Sequence, residues 1–229
     1  ISLKFVRSSS VPEGMVYVAG GLTKLPPAEN APAATFDVPS FLIGACEVTQ
    51  AEYSLFLQSL SGDASGHLPH YRDGAAIWSG LSPPQGWGSL PVFGVSTDSA
   101  EAFAARMKGR LPFRDEVIRA GLGAGGRSYP WGNHWNPRFV ACSSSVVGAQ
   151  PMPAASLPEG MSPFGCKHIV GNVSEWTVAL RNSGRPLFGT AGGNLGSDYE
   201  AQFLLYGARG TSATTDVERT GFRVVIPLE

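Results

Sequence analysis

Apolar residues occur along this chain in short stretches, separated by segments rich in glycine and proline. Residues 15–18 and 36–43 carry enough apolar and β-branched residues to predict β-strands, and the paired glycines at 20–21 predict a turn after the first. Residues 220–226 predict a further strand at the C-terminal end. The pattern therefore predicts strands that are short and far apart in the sequence.

Three stretches have the spacing of helices. Thr49 can accept a hydrogen bond from the amide of Glu52 while the Glu52 side chain reaches back, which is a capping box that opens the first helix. A second helix is predicted to be capped by Asp98 and to close at Gly109, and a third covers residues 114–120.

Long segments between these elements lack a periodic pattern. Residues 62–90 and 140–163 are predicted to be loops, and loops of this length inside a domain are often functional. His67 and His70 lie in the first loop, where no neighbouring acid or Cys accompanies them, so solvated side chains are favoured over a metal pair. Residues 129–133 predict an aromatic turn.

Composition narrows the class of protein. The chain has 229 residues, 43% of them hydrophobic, which is enough to build a substantial core. Its net charge of -1 gives no basic patch, so no nucleic-acid partner is expected. No apolar run approaches the roughly 18 residues of a membrane-spanning helix. The 29 glycines and 18 prolines indicate many turns and much ordered loop.

The sequence indicates one domain. No linker or repeat divides it, so residues 11–229 are interpreted as a domain and residues 1–10 as an N-terminal extension or the end of a preceding domain. Because the chain begins at Ile1 without a signal-peptide pattern, we expect a processed chain or a domain that is fused to others. Three cysteines (Cys46, Cys142 and Cys166) favour buried thiols over one disulfide plus a free thiol.

Residues 171–177, with the sequence GNVSEWT, combine a glycine that permits close backbone approach with an asparagine, an acid and a tryptophan. An acid beside such an aromatic is expected to be buried, and a buried acid without partners is costly. Taken alone, the stretch is interpreted as a structural turn that leads into a strand.

This motif is one of eight landmark stretches that extend through nearly the whole chain, at residues 12–18, 47–53, 91–92, 109–112, 129–132, 171–177, 192–193 and 221–223. In kind and in order, these stretches resemble those of the formylglycine-generating-enzyme (sulfatase-modifying factor) family. The resemblance implies one α+β domain of the formylglycine-generating-enzyme type, related to C-type-lectin-like folds, with few regular elements and long ordered loops.

Two metals belong to the family. Its oxidase members bind copper(I) through two cysteines between the Gly-Gly and Gly-Phe-Arg landmarks, and a soft monovalent metal requires such thiolates. Residues 194–220 contain no cysteine, so copper and cysteine oxidation are not expected and no catalytic residue is assigned. The resemblance also implies a weak calcium site formed by the side chains of His168 and Glu175 and the backbone carbonyls of Gly171 and Val173.

Three positions depart from the family pattern. His168 stands where Asn or Asp is usual, although calcium prefers hard oxygen ligands, so Glu175 is favoured as an acceptor of local hydrogen bonds instead. A second calcium position of the family, near residues 141–144, has no acid and is expected to be empty.

Ser174 replaces an aromatic residue and opens space. Phe113 replaces the Thr that caps the third helix, which should cost about 1 kcal/mol.

Residues 194–220 mix fixed-looking glycines with the residue types that adaptable binding surfaces use. The same fold displays variable ligand-binding segments in proteins that are diversified by retroelements, and this stretch is similar. The candidate ligand-binding residues are Asn194, Leu195, Ser197, Asp198, Tyr199, Gln202, Leu204, Tyr206, Thr211, Ser212, Thr214, Asp216 and Val217.

These observations favour a non-catalytic domain that binds a protein or a small molecule within a larger protein. The alternative is a divergent enzyme of the same family with different chemistry, for which Glu175, Asp198 and Asp216 are the candidate acid–base groups. A structural or assembly module is a third interpretation, and it predicts a large exposed apolar patch.

Overall fold

Three small β-sheets and three helices make up the regular structure of the residues that the computed structural model describes, namely 11–27, 32–145, 150–180, 187–198, 200–206 and 217–228. The strands are β1 (Met15–Val18), β2 (Gly21–Leu25), β3 (Ala34–Val38), β4 (Phe41–Gly44), β5 (Ser174–Leu180), β6 (Leu187–Ala191), β7 (Thr220–Gly221) and β8 (Val225–Pro227). The helices are α1 (Gln50–Gln58), α2 (Thr97–Arg106) and α3 (Arg114–Leu122).

The sheets join distant parts of the chain. In the first sheet β4 pairs antiparallel with both β1 and β8, so strands from the two ends of the described chain flank the same central strand. The second sheet is the hairpin of β2 and β3. In the third, β5 pairs antiparallel with β6 and parallel with β7. The fold is therefore α+β, with few regular elements and much ordered loop, as expected from the sequence.

The strand that the sequence predicted over residues 36–43 is wrong as one element, because it is two strands in two sheets. The break falls at Pro39 and Ser40. Pro39 has no N–H to continue a ladder, while the Ser40 hydroxyl accepts hydrogen bonds from the Gly20 amide at 3.0 Å and the Tyr17 hydroxyl at 3.1 Å. These bonds fix the corner at which the chain changes sheets.

The predicted C-terminal strand also divides. Thr220 and Gly221 belong to β7 in the third sheet, whereas β8 begins at Val225 in the first sheet. Between them, Phe222 and Val224 are buried in the core, and Arg223 is fully buried as well. This crossing point places a cation at the centre of the domain.

The first helix begins as predicted. The Glu52 amide donates to the Thr49 hydroxyl at 3.2 Å, and the Glu52 carboxylate accepts from the Thr49 amide at 2.7 Å. The expected cap of α2 is wrong, since Ser96 and not Asp98 is the N-cap and accepts from the Ser99 amide at 3.2 Å. The serine lies one residue before the helix, where a hydroxyl reaches the free amides of the first turn.

The third helix has the N-terminus that the sequence predicted and extends to Leu122, beyond the expected residue 120. Phe113 at its N-cap offers no side-chain oxygen. The Glu116 carboxylate instead accepts from the Phe113 amide at 2.7 Å and forms an ion pair with Arg110, whose guanidinium lies 4.1 Å from the centre of the Phe113 ring. These contacts take the place of the missing cap at this helix end.

Two apolar clusters form the core. One cluster packs the first sheet against α3, with Ile43, Ile118 and Ile169 among its buried members. The other packs α1 against α2 around stacked and edge-on aromatic rings, and Trp176 from β5 and Phe222 join it. The motif at residues 171–177 and the crossing point at Arg223 thus lie where both clusters meet the third sheet.

Candidate functional site

The turn at Gly171 and Asn172 begins the central motif. Both residues have left-handed backbone conformations, with φ of 83° and 61°. A Cβ added at Gly171 would lie 2.7 Å from the carbonyl oxygen of Ala141, so only glycine fits there. Asn172 tolerates its conformation because asparagine visits this region more readily than most residues. The turn directs the chain into β5.

The Asn172 side chain, which is only 1% exposed, joins three segments of the chain. Its amide nitrogen donates to Glu47 Oε1 at 3.0 Å and to the Met152 carbonyl at 3.1 Å. Its amide oxygen accepts from the Met152 N–H at 2.8 Å. The asparagine therefore holds the loop before the motif against the segment that precedes α1.

Glu175 and Arg223 form a buried ion pair beside Asn172. The Arg223 Nε and Nη2 atoms each donate to a separate Glu175 oxygen at 2.5 Å. The remaining donors of Arg223 reach the Gly44 carbonyl at 3.0 Å and the Lys167 carbonyl at 3.1 Å. This two-point geometry is the strong form of a carboxylate–guanidinium contact, and it joins the first and third sheets.

Glu47 is the acidic neighbour of this pair. Its Oε1 bonds to Asn172, whereas its Oε2 is buried and has no hydrogen-bond partner within the described residues. Burial and the nearby charge of Glu175 raise the pKa of Glu47 well above its ordinary value, against the opposing effect of Arg223. The environment therefore favours a protonated Glu47 carboxyl group, since Arg223 already balances Glu175.

His168 is buried with an unusual backbone φ of 47°. Its Nε2 lies 3.0 Å from the hydroxyl oxygen of Ser156, and that hydroxyl lies 2.6 Å from the Pro153 carbonyl. Since the hydroxyl hydrogen is used at the carbonyl, Nε2 carries the proton and donates to Ser156. Burial and the charges of Arg223 and Lys167 lower the pKa of His168 to about 4, so the ring is neutral.

The residues that the resemblance implied for calcium do not fit that ion. Calcium takes oxygen ligands, but both oxygens of Glu175 accept from Arg223, and the His168 ring nitrogen donates to Ser156. A calcium ion at Glu175 would have to displace a buried guanidinium. Gly171 and Val173 could offer backbone carbonyl oxygens, but these alone do not replace the carboxylate that Glu175 would have to supply. Within the described residues, no group of three or more His, Cys, Asp or Glu side chains is placed to hold a metal.

The cysteines are free thiols. Cys142 and Cys166 are buried, and Cys46 is partly exposed. Burial raises the pKa of both Cys46 and Cys166, which disfavours the thiolate form that soft metals need. The favoured interpretation of buried thiols is thus confirmed for two of them.

The predicted binding segment divides into buried and exposed positions. Asn194, Ser197 and Tyr206 are buried, Leu195, Gln202 and Leu204 are half-buried, and Asp198 is exposed. Val217 begins a 3-10 turn that ends at Arg219. The other predicted binding residues lie outside the described part of the chain, and they are Tyr199, Thr211, Ser212, Thr214 and Asp216.

Asn194 fixes the start of this segment. Its side-chain amide donates to the Ser174 hydroxyl at 3.0 Å, which fills the space expected at the position where the family has an aromatic residue. Its oxygen accepts from the Gly196 amide at 2.8 Å, and its own amide donates to the Ser197 hydroxyl at 3.1 Å. The Leu195 amide donates to the Asn172 carbonyl at 3.1 Å, so the segment continues directly from the central motif.

An aromatic group that the sequence did not assign to the site supports the next part of the segment. Phe203 is fully buried and stacks on Trp135 with ring centres 5.0 Å apart. Trp131 and Tyr129 stack at 5.4 Å, and Trp135 contacts both. The signal in the sequence was the aromatic turn at residues 129–133, but its partner Phe203 lies 68 residues from Trp135 and could not be paired by spacing.

The described architecture is that of an α+β domain with a C-type-lectin-like fold. The chain belongs to the Sulfatase-modifying factor enzyme 1-like domain family, whose profile matches residues 4–228. No helix in the described ranges has both the length and the apolar character that crossing a bilayer requires.

Similar proteins of this family differ in what their names describe. Hercynine oxygenase of Mycolicibacterium smegmatis is 30% identical over 166 residues, which cover 64% of this chain and 39% of that protein. The inactive C-alpha-formylglycine-generating enzyme 2 of Bos taurus is 31% identical over 101 residues, or 39% of this chain and 33% of that one. The chain thus spans about two fifths of the oxygenase.

Among solved structures, Treponema denticola variable protein 1 has a similar fold, with a TM-score of 0.67 and 16% identity over 92% of this chain and 94% of that one. The family thus includes relatives that are named as an enzyme and as an inactive enzyme, and the fold is shared with a protein that is named as variable.

Proposed function

We propose that this chain is a non-catalytic binding domain, part of a larger protein, whose 194–220 segment presents a recognition surface to a protein or a small molecule. One observation carries the proposal. In the described part of that segment, buried residues are interspersed with more exposed ones, so the backbone is fixed while Asp198 and the half-buried Leu195 and Leu204 face the surface.

This arrangement suits binding because a surface that is already ordered loses less conformational entropy when a ligand arrives. Asn194 and Ser197 form a hydrogen-bonded turn, and Phe203 is stacked on Trp135. Gln202 is a further anchor, because its Oε1 accepts from the Asp198 amide at 2.8 Å. The side chains of Leu195 and Asp198, between these anchors, can change without changing the backbone.

The chemistry of the centre supports the same proposal. Glu175, which was a candidate acid–base group, is fully engaged by Arg223. Residues 194–220 have no cysteine, although the oxidase members of the family place their copper ligands there. A relative named as inactive also belongs to the family.

The same proposal extends to variation of the displayed positions, which accords with the name of the structurally similar variable protein, and we propose diversification by a retroelement as its source. Sequencing many isolates tests it. We expect substitutions to concentrate at Leu195, Asp198 and Leu204, with the anchors Asn194 and Gln202 unchanged. Equal variation over the whole chain would contradict it.

A displayed library of random peptides tests the binding role. Peptides are selected on the 229-residue chain and then measured against a variant with Leu195→Ser, Asp198→Ser and Gln202→Glu, in which residue 202 keeps the oxygen that accepts from the Asp198 amide. We expect the variant to keep its melting temperature and to lose binding of the selected peptides at least tenfold. A matched triple variant at exposed positions elsewhere (Glu13→Ser, Lys108→Ser and Glu159→Ser) should bind as before. Equal binding to both variants would exclude this surface.

A divergent enzyme is the second candidate, because hercynine oxygenase is 30% identical over 166 residues. The chain is incubated with iron(II) or copper(I) and tested for dioxygen consumption with hercynine or a cysteine-containing peptide. We expect no consumption above the metal alone. Substrate-dependent turnover would favour the enzyme and reject the non-catalytic proposal.

A further inference from the structure

A shallow hollow of about 290 Å³ lies between α1 and α2, on a surface that the proposed function does not use. Its floor is made by Phe56 and Phe103, which are nearly buried and stack edge-on with ring centres 5.4 Å apart. Leu55 and Met107 stand at its rim. The hollow is therefore apolar at its base and open at its edge.

The rim is apolar to an unusual degree for an exposed surface. Leu55 is 67% exposed and Met107 is 43% exposed. The other large apolar side chains that are exposed in the described residues do not line this hollow, and they are Leu22, Tyr71, Leu81, Met161 and Leu187. Single exposed apolar residues are ordinary, but two beside one hollow indicate a contact surface.

Two opposite charges complete the rim. Glu52 uses its Oε2 atom in the capping box with Thr49, and Oε1 takes no part in that box. Arg106 has no ion-pair partner in the described chain. The hollow thus presents an acid, a base, a protruding leucine and a recess on the same face.

We propose that this face binds a second copy of the same chain. In a two-fold pair, Leu55 of each copy enters the hollow of the other, and Glu52 of one copy faces Arg106 of its partner. The surface carries both the leucine and the hollow that receives it, and both the acid and the base of the ion pair. A surface with both members of each contact can pair with an identical copy about a two-fold axis. The two-fold axis doubles each contact, so two ion pairs and two leucine insertions form together.

Sedimentation equilibrium of the 229-residue chain, from micromolar to millimolar concentration, tests the proposal. We expect a monomer–dimer equilibrium that Leu55→Ser weakens at least about tenfold, because the inserted side chain is lost twice. Leu22→Ser is the matched control, since Leu22 is 59% exposed and lies on the β2 strand. A chain that stays monomeric throughout, or equal effects of the two changes, would overturn the proposal.

Charge reversal gives an independent readout. Arg106→Glu should weaken the dimer about tenfold, because at each of the two contacts a glutamate then faces Glu52 of the other copy. Added salt should then strengthen association of this variant, whereas it should weaken the dimer of the unaltered chain. Lys108→Glu, at the same helix end but away from the hollow, should have little effect. The same salt response in both chains would show that Arg106 is not at the interface.

Discussion

Arg223 donates to both carboxylate oxygens of Glu175 through two hydrogen bonds of 2.5 Å, and neither side chain is exposed beyond 3%. The two residues are 48 positions apart, one in β5 and the other at the crossing between β7 and β8. The pair therefore closes the last segment of the chain onto the central motif, just after the end of the segment that we propose for recognition.

Removing one member of this pair should be strongly destabilising. Arg223→Met leaves Glu175 charged and buried without its partner, and we expect a loss of about 3–5 kcal/mol in the free energy of unfolding. Urea denaturation followed by circular dichroism measures the loss. If the variant does not fold, Arg223→Lys gives a smaller version of the change, because one ammonium cannot reach both oxygens in the same fork.

The matched control is Arg110→Met. Arg110 also contacts a carboxylate at two points, in Glu116, but its side chain is 31% exposed, and Glu116 keeps a bond to the Phe113 amide. Water can therefore reach the site, and the cost should be about 1 kcal/mol. Equal losses for Arg110→Met and Arg223→Met would contradict the role assigned to burial.

Gly171→Ala tests whether the turn of the motif depends on close approach or only on backbone conformation. Gly171 has φ of 83°, and Gly126 has φ of 79°, so alanine is strained equally at both. Only at Gly171 would the new methyl group meet other atoms, whereas at Gly126 nothing lies within 4 Å. We expect Gly126→Ala to cost about 1 kcal/mol and Gly171→Ala about 2 kcal/mol more, measured as free energies of unfolding. Similar costs would show that the contact with Ala141 yields easily.

The sequence predicted local structure well where the signal was local. The capping box at Thr49 and Glu52 needs only residues three apart, and it was correct. The break at Pro39 was missed because the apolar residues on both sides of it predicted one strand, and the bond from Gly20 to Ser40 fixes the break. The cap at Ser96 was missed because Asp98 was a competing candidate, and the bond from the Ser99 amide decides for Ser96. Local pattern also cannot show that a continuous apolar stretch serves two sheets.

The sequence did not show which residues from distant parts of the chain contact each other. Glu175 was expected to accept local amide hydrogen bonds, but it binds Arg223, and the latter had been seen only as part of a strand landmark. Glu47 was likewise part of a landmark without an assigned contact, although it shares Asn172 with the motif. Among the proposed binding residues, Asn194 and Ser197 proved to be anchors, because polar residues in a loop can as easily hold the loop as face a ligand.

His168→Asn should reduce the loss of stability in acid. The pKa of His168 is lowered from 6.5 to about 4 in the folded chain by burial and by Arg223 and Lys167. As the pH falls, the unfolded chain therefore takes up a proton at this ring before the folded chain does. The stability that neutral His168 contributes is complete above pH 6.5 and is lost as the pH falls through about 4. The free energy of unfolding should fall by up to about 1.4 kcal/mol per pH unit from this group alone.

The measurement is urea denaturation at a series of pH values, taken as the difference between the unaltered chain and the variant. Asparagine suits the left-handed backbone at this position, where φ is 47°. His134→Asn, at an exposed histidine, is the control and should leave the pH dependence as it is. A difference between the two chains that stays constant from pH 7 to pH 4 would show that the ring is already able to charge in the fold.

Glu47→Gln should change the stability of the chain at rising pH, whereas His168→Asn changes it in acid. Burial and the charge of Glu175 raise the pKa of Glu47 well above 4.5, while Arg223 and the bond from Asn172 oppose that change. The folded chain therefore keeps a proton that the unfolded chain releases. The contribution of the protonated Glu47 carboxyl group to the free energy of unfolding is complete below pH 4.5. It is lost as the pH rises through the pKa that this group has in the folded chain. Glutamine keeps an oxygen for Asn172 and cannot ionise, so the variant should gain stability relative to the unaltered chain as the pH rises.

Thermal unfolding from pH 4 to pH 9 measures this gain, with Glu13→Gln at an exposed carboxylate as the control. A rising difference at Glu47, with a flat one at Glu13, would show that the oxygen without a partner carries a proton in the fold. If Glu47→Gln is less stable by the same amount at every pH, the carboxylate is ionised in both states, and Arg223 compensates both of the acids that surround it.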